Sequence, residues 1–199
     1  MNDFSDYSNI QKRAMQKCNT PSMYLICGTP GVGKSTVCNA VVERLREMYH
    51  QTSVEILNLN NIAEGISGYA GYDDGRQCKV LDEKSIKRHV KSLLLNQSND
   101  SHKLYIMEYH DVSEWLPRKW FKKVFILTIE DIKFLSNRLK HRNYSEDKIR
   151  ENIECEIFRE IVDSGIKWFG KKNVIELKNE NKQDLDNNVN VICKTIMET

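Results

Sequence analysis

The feature that most restricts this chain is the octapeptide Gly28-Thr29-Pro30-Gly31-Val32-Gly33-Lys34-Ser35, which fits the pattern G-x-x-x-x-G-K-[ST]. Such a loop turns successive backbone N–H groups toward one anion, and its glycines permit conformations and close approaches that a side chain would block. The apolar run Met23-Tyr24-Leu25-Ile26-Cys27 precedes it, and an amphipathic stretch from Lys34 to about Tyr49 follows. The first reads as a buried strand and the second as a helix whose positive end faces the same anion. The expected ligand is a nucleoside triphosphate with Mg2+. The backbone of Gly31, Val32 and Gly33 would surround the β-phosphate, Lys34 would bridge the β- and γ-phosphates, Ser35 would ligate the metal, and Thr36 would donate to the α-phosphate.

Downstream, strand and helix patterns alternate. Val54-Glu55-Ile56-Leu57 reads as a strand, residues 60–80 as a glycine-rich loop region, and Asp82 to about Asn96 as a helix. Strands follow at Leu104-Tyr105-Ile106-Met107 and Val124-Phe125-Ile126-Leu127, helices at 131–141 and 145–163, a last strand from Asn173 to Leu177, and a terminal helix at about 182–197. Five strands with crossover helices imply an α/β P-loop NTPase fold, a right-handed five-stranded parallel sheet with helices on both faces. The length of 199 residues fits one such domain, expected over residues 22–199, after an N-terminal extension at 1–21.

The chain is 40% hydrophobic and 29% charged, which supplies a core. No run approaches the roughly 18 apolar residues of a spanning helix, and the opening MNDFSDYSNI lacks the features of a signal peptide. An intracellular protein with no membrane partner is expected. The six cysteines are scattered, with no C-x-x-C pair, and read as reduced thiols. A net charge of +2 does not argue for nucleic acid, and no direct nucleic-acid site is evident. Charge is nonetheless polarised: residues 117–150 hold ten Lys/Arg against four Asp/Glu, whereas 55–83 hold six acids against two bases.

Asn181-Lys182-Gln183-Asp184 spells the guanine signature N-K-x-D, but it lies several residues beyond Leu177, and no D-x-x-G follows strand 104–107. It is read as a helix start. Arg138 and Arg142, four apart on a basic helix, share one face and could reach a transferring phosphoryl group. Glu108-Tyr109-His110 ends the third strand, placing a carboxylate near the metal and an imidazole beside it. A small kinase is the better reading.

These residues, with Pro117-Arg118-Lys119-Trp120-Phe121, Arg142-Asn143-Tyr144 and Asn152-Ile153-Glu154-Cys155-Glu156-Ile157-Phe158, give a pattern that resembles the adenylate kinase isoenzyme 6 family over about residues 23–197. The resemblance implies a nucleoside-monophosphate-kinase fold with an acceptor region at about 58–80 and a short lid at about 141–151. It implies adenylate kinase activity on ATP and AMP, ATPase activity, a small-subunit ribosomal protein as partner in ribosome maturation, and residence in nucleus and cytoplasm. Lys34, Arg138 and Arg142 would stabilise the transferring group, Ser35 and Glu108 would hold Mg2+, and His110 would orient water or couple to a partner. The chain departs from the family pattern in four places: Glu108 replaces an aspartate, Asn61 and Glu64 stand in for Asp and Arg of G-D-L-A-R, the turn after His110 is one residue longer, and Asn143 takes the place of a lid glycine. The alternative reading is an ATPase switch that binds a ribosomal protein with little or no AMP phosphorylation.

Overall fold

The computed structural model describes residues 22–49, 53–75, 78–96, 103–112 and 114–199. The N-terminal extension expected at 1–21 lies outside the described residues. Strands β1 (Ser22–Cys27), β2 (Val54–Asn58), β5 (Leu104–Glu108), β6 (Lys123–Thr128) and β7 (Val174–Lys178) form one sheet in the order β2-β5-β1-β6-β7, every pairing parallel. This is the five-stranded P-loop NTPase sheet that the sequence led us to expect. Chain order reverses around β1, and in open α/β sheets ligands bind in the crevice at the carboxyl end of such a switch point.

Strand periodicity divides the core between the two faces. Tyr24 and Ile26 of β1 point to one side, with Val37, Val41 and Leu45 of helix α1 (Lys34–Tyr49). Met23, Leu25 and Cys27 point to the other. Helix α7 (Lys182–Glu198) completes the first face through Ile192, Cys193 and Ile196. Helices α3 (Glu83–Asn96) and α6 (Glu160–Phe169) cover the second, through Ile86, Val90, Ile161 and Phe169.

Two expectations needed correction. Residues 60–80 are more ordered than a loop region: helix α2 (Leu59–Gly65), capped by Asn58, leads to an antiparallel pair, β3 (Tyr69–Asp73) with β4 (Cys78–Leu81). The glycines obscured it, because Gly68 and Gly71 interrupt both periodicities. The single helix expected at 145–163 is instead α5 (Glu146–Ile157) and α6, separated by Arg159 in a left-handed conformation at φ 56°. No glycine or proline marks that break, so periodicity ran through it.

Helix α4 (Ile132–His141) starts at Asp131, whose side chain accepts from the Phe134 N–H at 3.0 Å. Between α4 and α5, Asn143 has φ 57°, a conformation that asparagine tolerates better than most residues. This accounts for its standing in for glycine. Asn181 caps α7 by accepting from the Asp184 N–H at 2.9 Å, so N-K-x-D is the start of a helix here.

Candidate active site

The loop between β1 and α1 turns on glycines in the positive-φ region. A Cβ on Gly28, at φ 141°, would run into the Leu127 carbonyl oxygen, and one on Gly33, at φ 99°, would lie 2.6 Å from Asn179 Nδ2. These glycines let the loop approach β6 and the end of β7 closely.

Three side chains from distant elements hold the loop in place. Asn179, buried just past β7, donates from Nδ2 to the Val32 carbonyl at 2.7 Å, and its own oxygen accepts from Asn188 Nδ2 at 3.3 Å. Arg138 of α4 donates from Nη1 to the Gly31 carbonyl at 3.0 Å, while its guanidinium lies 4.1 Å from the Phe134 ring centroid. Glu156 of α5 accepts from the Thr29 hydroxyl and, at 2.7 Å, from the Ile129 N–H. Burial raises the Glu156 pKa and these hydrogen bonds oppose the rise. Sequence reasoning gave no role to Asn179 or Glu156. The only signal for Glu156 was its place in the stretch Asn152 to Phe158, while Asn179 carried none.

Lys34 folds back over the loop, donating to the carbonyls of Gly28 at 2.7 Å and Thr29 at 3.0 Å. Burial pushes its pKa down to about 8, opposed chiefly by the Glu108 charge. Ser35 Oγ donates to Glu108 Oε1 at 2.6 Å, which joins the first turn of α1 to the end of β5. The two are hard oxygen donors, a set that suits Mg2+ when substrate phosphates supply further ligands. Among the described residues no group of three or more His, Cys, Asp or Glu side chains could hold a metal ion. His110 follows within two residues; its ring packs 4.4 Å from that of Tyr109, and burial, then the Lys34 charge, lowers its pKa, leaving a neutral imidazole at pH 7.

Open clefts flank this centre. On the Thr36 side, a cavity of about 610 Å3 is lined by Gly31, Gly33, Thr36, Phe134, Arg138 and Arg142. On the Glu108 side, a second of about 670 Å3 is lined by Ser35, Asn39, Glu55, Asn58, Asn61 and Glu108 with apolar residues, and no Lys or Arg lines it. Every site residue expected from the sequence except His110 touches the loop or lines one of these clefts. Arg138 braces the loop itself, and Arg142 shares its cleft from the C-cap of α4. Glu64 is exposed on α2, beyond Asn61.

Fold, loop and clefts define a P-loop phosphotransferase of the nucleotide-kinase type. A family model described as an AAA domain matches residues 25–159. The chain is similar to three proteins each named adenylate kinase isoenzyme 6 homolog. That of Drosophila melanogaster is 35% identical over 80% of this chain and 83% of its own. That of Dictyostelium discoideum is 31% identical over 90% and 94%, and that of Plasmodium falciparum 33% over 87% and 94%. The chain belongs to the adenylate kinase isoenzyme 6 family, as its motifs suggested. Among solved structures, a shikimate kinase from Bacteroides thetaiotaomicron aligns over 88% of this chain and 98% of its own at 11% identity and a TM-score of 0.45, too loose a likeness to argue from. Among the described residues no helix is long and apolar enough to cross a membrane.

Proposed function

We propose that this protein transfers the γ-phosphoryl group of MgATP to AMP, with ATP hydrolysis as an accompanying activity. One observation carries the reading: the phosphate loop and the first turn of α1 border two clefts, one lined by Gly31, Gly33 and Thr36 for the donor and one lined by the Ser35–Glu108 pair for the acceptor. Lys34 exchanges its two carbonyl partners for phosphate oxygens, and its charge offsets what develops on the transferring group. Arg142 reaches the same group from the donor cleft, while Arg138 keeps the loop in shape. Mg2+, held by Ser35 and Glu108, would supply charge neutralisation at the β- and γ-oxygens. When no acceptor is seated, water takes its place; His110, which lines neither cleft in the free protein, would orient that water only on closure or else couple the site to a partner. Residues 141–151 act as the lid and 58–80 as the acceptor region.

A second reading is favoured by the acceptor cleft. Glu108 lines it together with Glu55, whose charge Lys103 offsets at 2.9 Å, no Lys or Arg is among the lining residues, and Glu64 adds a carboxylate on the adjoining helix. Such a cleft suits a phosphate-bearing acceptor poorly. In this reading ATP hydrolysis switches the protein's grip on a ribosomal protein during small-subunit maturation, in nucleus and cytoplasm, as the family resemblance suggests.

The test is to incubate the protein with MgATP, with and without AMP, following ATP, ADP, AMP and free phosphate separately, with Lys34→Ala as blank. Kinase activity yields ADP from both substrates without matching phosphate. Phosphate release that equals ATP loss and ignores AMP would sink the kinase reading and leave the switch.

A further inference from the structure

At the end of the sheet opposite the phosphate loop, two distant segments meet. Residues 115–123 contain Arg118, Lys119, Lys122 and Lys123, and residues 164–173 contain Lys167, Lys171 and Lys172; neither segment has an acid. The fold brings them together through specific contacts. Lys123 Nζ donates to the Lys172 carbonyl at 2.7 Å, Trp168 Nε1 donates to the Leu116 carbonyl at 3.0 Å, and the Arg118 guanidinium sits 4.2 Å from the Trp168 ring centroid. Phe121 and Phe169 stack edge to face beneath, at 5.7 Å. All these cations but the half-buried Lys123 are exposed, and among the described residues none forms a salt bridge. Nearby, Lys122 meets the Thr199 main-chain oxygen at 3.2 Å, and Glu198 is already taken up by Lys194.

Helix-end chemistry explains part of this cluster, since Lys171 and Lys172 complement the negative end of α6. It does not explain the four cations of the other segment, which follow no helix of that kind. What the pole offers is a concentrated positive field with two half-exposed tryptophans, Trp120 and Trp168, set among the charges. A membrane surface would call for apolar side chains projecting outward, whereas these rings are half-buried and the Trp168 N–H is already hydrogen-bonded. Cations that track a backbone, with aromatic rings and an arginine plane on which bases can stack, match single-stranded nucleic acid.

We propose that this pole is a binding surface for single-stranded nucleic acid, its phosphates held by the lysines of both segments and an unstacked base set against the Arg118–Trp168 stack. The surface stands at the amino end of the sheet, where the Lys122 N–H donates to the Met23 carbonyl. It is about 15 Å along β1 from the phosphate loop at the strand rise of about 3.3 Å per residue. Binding there leaves both nucleotide clefts open, so the proposal stands apart from the phosphotransfer reading.

The experiment is fluorescence anisotropy of the full chain with a labelled single-stranded RNA of about 15 nucleotides, within the site sizes of such surfaces. A non-hydrolysable ATP analogue fills the phosphate loop throughout, and Lys119→Glu/Lys171→Glu/Lys172→Glu is the variant. The variant is expected to bind at least tenfold more weakly, with a log–log salt slope shallower by about 2, from about 0.7 per phosphate contact on a single strand. Its ATP turnover should equal that of the unaltered protein. Equal RNA affinity in variant and parent would overturn the proposal, by placing the binding elsewhere on the chain. So would a parent that prefers an RNA duplex of equal length, or vesicles containing phosphatidylserine.

Discussion

Lys34 is the residue whose chemistry is most coupled to its ligand. In the folded, nucleotide-free protein burial lowers its pKa from 10.5 to about 8, so the charged form is disfavoured. A depressed lysine pKa costs stability in full below that value and the cost is relieved as pH rises, so the free protein should gain stability between pH 8 and 10.5. Phosphate oxygens reverse the preference, so above about pH 8 binding takes up a proton and ATP affinity should fall by up to about tenfold per pH unit. Calorimetry in buffers of different ionisation heat would reveal the uptake; affinity rising with pH would contradict the assignment. Glu64 tests the acceptor side. Glu64→Arg restores the cation of the family pattern, and a charge-assisted bond to the acceptor phosphate should lower the KM for AMP about tenfold or more, leaving ATP hydrolysis without AMP unchanged. An unaltered KM would mean that α2 does not meet an acceptor phosphate.

Among the elements, α5 is the one that joins the turn after α4 to the phosphate loop. It is capped by Ser145, at the far end of the turn after Arg142, and near its end Glu156 ties Thr29 and Ile129 together. The helix break at Arg159 makes this possible: α5 stops once Glu156 has reached the loop, and α6 sets off along β6, where Gly165 lets it approach Ile126 closely. Glu156→Ala leaves the Thr29 hydroxyl and the Ile129 N–H without their acceptor, at a cost of about 2 kcal/mol in unfolding free energy. It should also raise the Kd for ATP, since the loop loses one of its three braces. Denaturation with urea and ATP titration would check both, and a variant as stable as the parent would show the carboxylate to be dispensable. Little of this was legible beforehand. Each brace spans a long sequence separation, and a carboxylate in an amphipathic helix looks the same whether it faces solvent or a loop.

For the molecule as a whole, the phosphate loop lies where α1, α4, α5 and the end of β7 converge, so filling it should stabilise the entire fold. ATP with Mg2+ at about 100 times its Kd should add about 2.7 kcal/mol, by mass action on the folded state. For a domain of this size that is a rise of roughly 5–10 °C in Tm. Lys34→Ala should lose the shift at the same nucleotide concentration, and differential scanning fluorimetry would settle it; an undiminished shift would place the nucleotide elsewhere.

By itself the sequence determined the sheet, its helices, the phosphate loop and the family, because each is written in local runs: strand periodicity, a glycine spacing, an N-cap, a short motif. Strand ends fell within a residue or two, and Ser35 with Glu108 could be paired because parallel β1 and β5 must finish side by side. Only the tertiary structure decided the rest. It folded the glycine-rich stretch into α2 and a hairpin, broke the long helix at Arg159, brought Asn179 and Glu156 to the loop, and gathered the cations of 115–123 and 164–173 at one pole. All of these depend on which distant residues become neighbours. That is set by how the helices cover the sheet, and no window of sequence contains it.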